Sequence, residues 1–125
     1  MKIFFDENFP SQLAEGLNSF EQVDRHVEVL STIKAFGRGV KDEDLIPAIG
    51  MQNGILFTRD QRIQKTRLYI DLITEYKMGI VFIRQSNKMQ YWQIVEHGVK
   101  TWCRTKKKCR QRAPFAVQVT GQGKV

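Results

Sequence analysis

Short apolar runs alternate along the chain with longer segments in which apolar residues recur at helical spacing. Residues 1–5, 55–58 and 80–83 are apolar runs with the length of buried strands, and residues 26–30 alternate as a half-buried strand does. Helices are expected from Ser11, from Asp42 and over about residues 61–76 and 88–102, with a last edge strand over residues 115–119. Strands that alternate with helices form β-α-β units, so the pattern predicts an α/β fold with a mainly parallel sheet covered on both faces.

The segment before the second helix should be irregular. Residues 35–40 contain two glycines and are expected to be part of a long loop over residues 31–41. Asp42 is then expected to be the N-cap of the helix, with Glu43 and Asp44 in its first turn, where the helix dipole favours negative charge.

Aromatic and histidine side chains in the last helix have both a packing and a functional interpretation. Trp92 and Trp102 recur with Val95 and Val99 at helical spacing, which favours packing of the tryptophans in the core over stacking on nucleic-acid bases. His97 lies far in sequence from the other histidine, His26, and has no triad partner, so each is expected to be a surface or half-buried residue.

The distribution of charge along the chain says more about function than the overall composition does. The 125 residues are expected to form one domain, and 20 lysines and arginines against 13 acidic residues give a formal charge of +7. Such an excess attracts polyanions. Every charged residue from Lys100 to Arg112 is basic, whereas most acidic residues precede this stretch. This division predicts an acidic site beside a basic surface, an arrangement suited to cutting nucleic acid.

Several classes of site and location are disfavoured. Cys103 and Cys109 have no nearby partners with which to complete a zinc site, and no Walker or GxGxxG phosphate loop occurs. The first ten residues lack the apolar core of a signal peptide, and no apolar stretch is long enough to span a bilayer. We therefore expect reduced thiols, no membrane association and a cytoplasmic location.

Acidic residues follow two of the predicted strands. Asp6 ends the first strand and Asp60 follows the third, at the edge where open α/β sheets have their functional crevice. Asp42 and Asp44 open the helix that leads into the third strand. Converging carboxylates repel one another, and a divalent cation such as Mg²⁺ or Mn²⁺ relieves that repulsion. Such an ion activates water for attack on a phosphodiester.

Three segments together resemble a known family. The sequences MKIFFDENFP, KDEDLIPAIG and GILFTRDQRIQK are similar to the PIN-like domains found among the VapC-type toxins of prokaryotic toxin–antitoxin pairs. The resemblance runs over residues 1–86 and continues loosely to the tail. It implies a three-layer α/β/α fold, cleavage of RNA with Mg²⁺ or Mn²⁺, and a cognate antitoxin protein as partner; it leaves a homodimer open.

The resemblance also implies roles for particular residues. Asp6, Asp44 and Asp60 match the catalytic, metal-binding acids, and Asp42 and Glu7 are further possible ligands. Asp44 ranks before Asp42, because an N-cap role already explains Asp42. The residues expected to bind RNA are basic and lie after the third strand or in the C-terminal basic run: Arg59, Arg62, Lys65, Lys106, Lys107, Lys108 and Arg110.

One departure from the family keeps other functions open. Many PIN nucleases carry a further acid after the next strand, where this chain has Arg84, Gln85 and Ser86. The alternative to an active nuclease is therefore a PIN-like module that binds RNA or protein without cutting. A phospho-acceptor receiver domain also places acids after its first and third strands, but Arg62 and Lys65 after Asp60 do not fit that class.

Overall fold

The structure, a computed structural model, describes residues 1–59, 67–85 and 88–119. Its strands are β1 (Lys2–Phe5), β2 (Glu28–Ser31), β3 (Gly54–Thr58), β4 (Gly79–Ile83) and β5 (Phe115–Val119). Its helices are α1 (Ser11–Glu21), α2 (Thr32–Phe36), α3 (Asp42–Gly50), α4 (Arg67–Glu75) and α5 (Tyr91–Lys108). All of the predicted strands form, with bounds that differ from the expected ones by at most two residues at either end.

The strands form one sheet in the order β2-β1-β3-β4-β5, and every neighbouring pair is parallel. The predicted α/β class is therefore confirmed, and the sheet is more regular than the mainly parallel one expected. The chain leaves β1 for β2 on one side and reaches β3 on the other side. The point where the strand order reverses thus lies between β1 and β3.

Helices cover both faces of the sheet and give the three layers α/β/α. Alternate strand residues point to opposite faces, so Phe5 and Phe57 pack towards α1 and α5, whereas Phe4 and Leu56 pack towards α3 and α4. Burial of the strands on both faces explains why they read as continuous apolar runs rather than as alternating ones.

The orientation of α5 differs from the expected one. Trp102 is buried in the core, as predicted, but Trp92 is 75% exposed and Val99 is also exposed. The buried face contains Ile94, Gly98 and Trp102 instead, because a Cβ atom at Gly98 would lie 2.9 Å from Leu13 Cδ2. The close approach of α5 to α1 at this glycine sets the rotation of the helix and turns Trp92 outward.

Other local expectations also need correction. Residues 32–36, expected within a loop, form α2, although Gly37 and Gly39 adopt positive φ angles in the turn that follows. Asp42 is not the N-cap of α3: Lys41 occupies that position, and Asp42 is the first helical residue. The last helix, expected to end near residue 102, continues as α5 to Lys108 and so includes most of the basic run. Of the helix expected over residues 61–76, the first part lies outside the described residues.

A buried ion pair joins the ends of α1 and α5. Glu21 Oε1 accepts hydrogen bonds from Trp102 Nε1 at 2.7 Å and from Lys106 Nζ at 2.5 Å, and Glu21 is 6% exposed. Burial alone raises the pKa of Glu21, but the hydrogen bonds from Lys106 and Trp102 and the charge of Lys106 outweigh it. The pKa of Glu21 therefore falls below its ordinary value of 4.5.

Both cysteines are free thiols, as expected. Cys103 is exposed, whereas Cys109 is buried and burial raises its pKa to about 12. Among the helices in the described ranges, none combines the length and the apolar character needed to cross a bilayer.

Candidate active site

Asp6 lies at the carboxyl end of β1 and is held in place by its neighbours. Its backbone N–H donates to Phe57 O at 3.0 Å, so the residue extends the pairing of β1 with β3. Its Oδ1 accepts from the Asn8 backbone N–H at 3.0 Å, and its Oδ2 accepts from the hydroxyl of Thr58. The residue is 8% exposed. The carboxylate is thus nearly buried, with both oxygens oriented by hydrogen bonds that offset the cost of burying its charge.

The location of Asp6 is the one that the topology favours for a ligand. β1 and β3 are adjacent and parallel, with Phe5 in register with Phe57, so Asp6 and Thr58 end neighbouring strands. The strand order reverses between these two strands. In open α/β sheets ligands bind at the carboxyl edge beside such a point. From the mainly parallel sheet we expect the strands that precede Asp6 and Asp60 to be parallel and either adjacent or next-adjacent, and the structure shows the adjacent, parallel arrangement.

Arg59 ties the end of β3 to the turn after Asp6. Its Nη1 donates to Asn8 O at 3.0 Å, and its guanidinium lies 5.9 Å from the centre of the Phe9 ring. Burial lowers the pKa of Arg59 and the charge of Asp6 opposes that shift, so the side chain remains a cation beside the carboxylate. Arg59 thus has internal partners that sequence reasoning did not foresee, and its contact with RNA stays a prediction.

The second acidic segment approaches the same edge through a loop. Glu7 Oε2 accepts from the Gly39 backbone N–H at 3.3 Å, which joins the turn after β1 to the loop before α3. Asp42 and Asp44 lie in the first turn of α3, with Asp42 partly exposed and Asp44 exposed. Because Lys41 and not Asp42 is the N-cap, there is no longer a reason to rank Asp44 above Asp42 as a ligand.

The remaining predicted residues of the third segment, Asp60, Arg62 and Lys65, lie outside the described residues. Within residues 1–59, 67–85 and 88–119, no three acidic, histidine or cysteine side chains are grouped so as to hold a metal ion. The described donors therefore do not form an all-protein cage. They fit the way Mg²⁺ binds, through one or two carboxylates completed by water and substrate phosphate.

After β4, where the resemblance to PIN nucleases implies a further acid, the chain has Gln85, whose amide contacts an imidazole of α5. Gln85 Nε2 lies 2.6 Å from His97 Nδ1, and His97 is buried, contrary to the expected surface or half-buried position. The pairing links β4 to α5. The sequence feature that could have indicated the burial of His97 is its i, i+4 spacing with Thr101 and Thr105, which lie on the same buried face of the helix.

The C-terminal basic run lies away from this site. α5 follows β4 and leads into the parallel β5, so it begins at the carboxyl edge of the sheet and ends at the amino edge. Fifteen residues separate Tyr91 from Lys106, which corresponds to about 22 Å at 1.5 Å per residue. Lys106 and the residues after it therefore lie towards the edge opposite Asp6, and the expected acidic site beside a basic surface stays a prediction for the earlier part of the run. Lys106 forms an ion pair with Glu21, whereas Lys107 and Arg110 are exposed. That the basic residues of this run bind RNA stays a prediction.

Thr58 is a site residue that sequence reasoning missed, although it precedes Arg59 in the TRD motif. It is fully buried and its hydroxyl orients the Asp6 carboxylate. If Asp6 holds a metal ion for RNA cleavage, as the resemblance implies, Thr58→Val, which keeps the shape and removes the hydroxyl, should lower cleavage about 10- to 100-fold, the usual effect of losing a partner of a metal ligand. Thr58→Ser should recover most of the activity. Equal rates for the serine and valine variants in a cleavage assay would remove Thr58 from the site.

Comparison with known proteins places this geometry in a family. No curated protein and no solved structure shows significant similarity to the chain. Residues 1–85 match the family model of the PIN-like domain, and this segment contains Asp6, Asp42, Asp44, Thr58 and Asp60. Because the match covers more than half of the chain, the protein belongs to the PIN-like domain family.

Proposed function

We propose that the protein is a metal-dependent endoribonuclease that hydrolyses RNA phosphodiester bonds. PIN-like domains are generally nucleases, so the family supports a hydrolase. The observation that carries the proposal is the Asp6 carboxylate, nearly buried at the point where the strand order reverses and oriented by Thr58 and Asn8. A structural role does not require a carboxylate with both oxygens fixed at the open edge of a parallel sheet.

The chemistry is divided between a cation and the side chains around it. A bound Mg²⁺ or Mn²⁺ supplies an activated water and stabilises charge on the phosphate. In this proposal Asp6 and Asp60 are ligands, with Asp44, Asp42 or Glu7 completing the acidic side. Thr58 holds Asp6 in its orientation. Arg59 stays charged beside Asp6 and limits the repulsion between this carboxylate and the incoming phosphate.

The proposed biological role is the toxin of a toxin–antitoxin pair, acting in the cytoplasm and neutralised by an antitoxin protein. This finer role follows from the similarity of the three motifs to VapC-type toxins. A small DNA-binding protein encoded beside this chain would support it. Co-expression should then relieve growth inhibition by the active protein.

Removal of the metal provides the test of the proposed activity. Purified protein should cleave a labelled single-stranded RNA with Mg²⁺ or Mn²⁺ and lose this activity in excess chelator, and either ion should restore it. Ca²⁺ provides a matched control and should not restore cleavage, because it takes a larger and more flexible coordination shell than Mg²⁺. Cleavage that persists unchanged in chelator would contradict the proposal.

A second candidate is a PIN-like module that binds RNA or protein without cutting it. Gln85 at the end of β4, where many relatives carry an acid, favours this alternative. RNA binding without cleavage in either Mg²⁺ or Mn²⁺ would select it.

A further inference from the structure

An open cleft of about 400 Å³ lies between the turn after Asp6 and the first turn of α5. Glu7, Asn8 and Phe9 line one side, and Arg38 and Tyr91 are also in its wall. Glu7 directly follows Asp6, so the cleft begins beside the proposed catalytic carboxylate.

One aromatic side chain of the wall, Tyr91, contacts a second one, Trp92, which lies outside the lining of the cleft. The rings of Tyr91 and Trp92 pack edge to face, with centroids 5.3 Å apart and planes at 89°. Trp92 is one of the most exposed large apolar side chains in the described residues, and Tyr91 is also exposed. Single exposed apolar residues are common, but a fixed aromatic pair beside a charged cleft is a feature of binding surfaces.

The pair is held by the helix that carries it. The Gln90 backbone N–H donates to Gln93 Oε1 at 2.8 Å and closes the first turn of α5. Further along, Ile94 packs into the core and Gly98 approaches Leu13 closely, so the rotation of the helix is set. The backbone that carries the two aromatic residues is therefore positioned before any ligand arrives, which lowers the entropy lost on binding.

Charge decides which ligand fits this surface. The chain has a formal charge of +7, and the cleft contains the exposed cation Arg38, with Lys88 exposed shortly before α5. The acidic side chain in the wall, Glu7, accepts a hydrogen bond from the loop at Gly39. A flat aromatic face beside a cation suits a nucleotide, because the base can stack while the cation pairs with phosphate.

We propose that Tyr91 and Trp92 form a stacking platform for an unpaired base of the RNA strand, next to the phosphate that reaches Asp6. Arg38 pairs with a neighbouring phosphate across the cleft. The assignment of RNA as ligand rests on the proposed nuclease function. The platform makes the protein select single-stranded RNA at this position, because a base within a duplex cannot present its face to a side chain.

Binding of an uncleavable oligonucleotide tests the platform without relying on catalysis. The probe is a 2′-O-methyl RNA of mixed sequence in the presence of chelator, and the readouts are affinity and tryptophan fluorescence. The single-stranded probe should quench Trp92, and the same strand in a duplex should quench it less. The emission of the buried Trp102 is obtained from Trp92→Phe and subtracted.

Two replacements at Trp92 separate stacking from apolar contact. Trp92→Leu should weaken binding about 5- to 150-fold, the range expected for the loss of one stacked base, whereas Trp92→Phe should recover most of it. Because Trp92 is exposed, neither change should alter thermal unfolding. If Trp92→Leu binds the oligonucleotide like the parent and Trp92 is not quenched, the inference is wrong.

The two proposals fail in different ways. Quenching and affinity loss in a protein that never cuts RNA would support the platform and contradict the nuclease. Metal-dependent cleavage with no effect of Trp92→Leu on binding would contradict the platform alone.

Discussion

Replacing Asp6 by asparagine should abolish RNA cleavage while leaving RNA binding almost unchanged. Asparagine keeps the size of the side chain, its Oδ1 can still accept from the Asn8 N–H and its Nδ2 can donate to the Thr58 hydroxyl oxygen, but it lacks the charge that binds a cation. Losing a direct ligand should lower the rate at saturating RNA by at least about 100-fold, the upper end of the loss for outer-shell partners.

The matched control is Asp24→Asn, which removes an exposed carboxylate from the turn between α1 and β2, at the amino edge of the sheet. Both variants lose one negative charge, so a change in overall charge affects them equally. Equal cleavage by the Asp6 and Asp24 variants would show that Asp6 has no catalytic role.

Replacing Glu21 by alanine should have the largest effect on stability. The change leaves Lys106 and the Trp102 N–H without their acceptor in a mostly buried place. Removing one partner of a buried pair costs about 3–5 kcal/mol, and Lys106 remains about 20% exposed, so the loss should fall near the lower value. Denaturant unfolding measures this loss. Lys106→Met, which removes the other partner of the pair, should also lower stability, whereas Lys107→Met, at an exposed position, is the matched control and should not. A parent-like midpoint for Glu21→Ala would contradict this role.

The same contact should make stability depend on pH. Because the folded pKa of Glu21 is lowered, its contribution is fully present above the unfolded value of about 4.5 and is lost as the pH falls through the folded pKa. Glu21→Gln cannot titrate, so its deficit relative to the parent should shrink in acid. A constant deficit between neutral pH and acid would contradict the assigned direction.

The sequence was informative where burial imposes a pattern. The runs at β1, β3 and β4 are buried on both faces, and this burial allows few polar residues until each strand ends. Asp6 could therefore be assigned to the carboxyl edge, whereas direct pairing of β1 with β3 could not be distinguished from a next-adjacent arrangement before the structure was known. Topology carries this part of the site, because parallel strands bring their ends to one edge.

The features that the sequence did not predict depend on contacts between residues that are distant in the chain. The orientation of Trp92 is set by Gly98 against Leu13, a packing contact that helical spacing within α5 cannot reveal. The partner of Lys106 is Glu21, 85 residues away, so the basic run appeared uniformly available for RNA. The role of Thr58 depends on its register beside Asp6, which the adjacent pairing of β1 and β3 determines.

The most direct measurement of the central claim is Mn²⁺ binding, followed by the loss of the free-ion electron paramagnetic resonance signal as protein is added. Uncleavable 2′-O-methyl RNA is included so that phosphate can complete the coordination. The parent and Asp24→Asn should bind Mn²⁺ equally, and Asp6→Asn should bind it more than about tenfold more weakly. If Asp6→Asn binds Mn²⁺ as tightly as the parent, the carboxylate between β1 and β3 does not hold the metal, and the proposed nuclease mechanism is wrong.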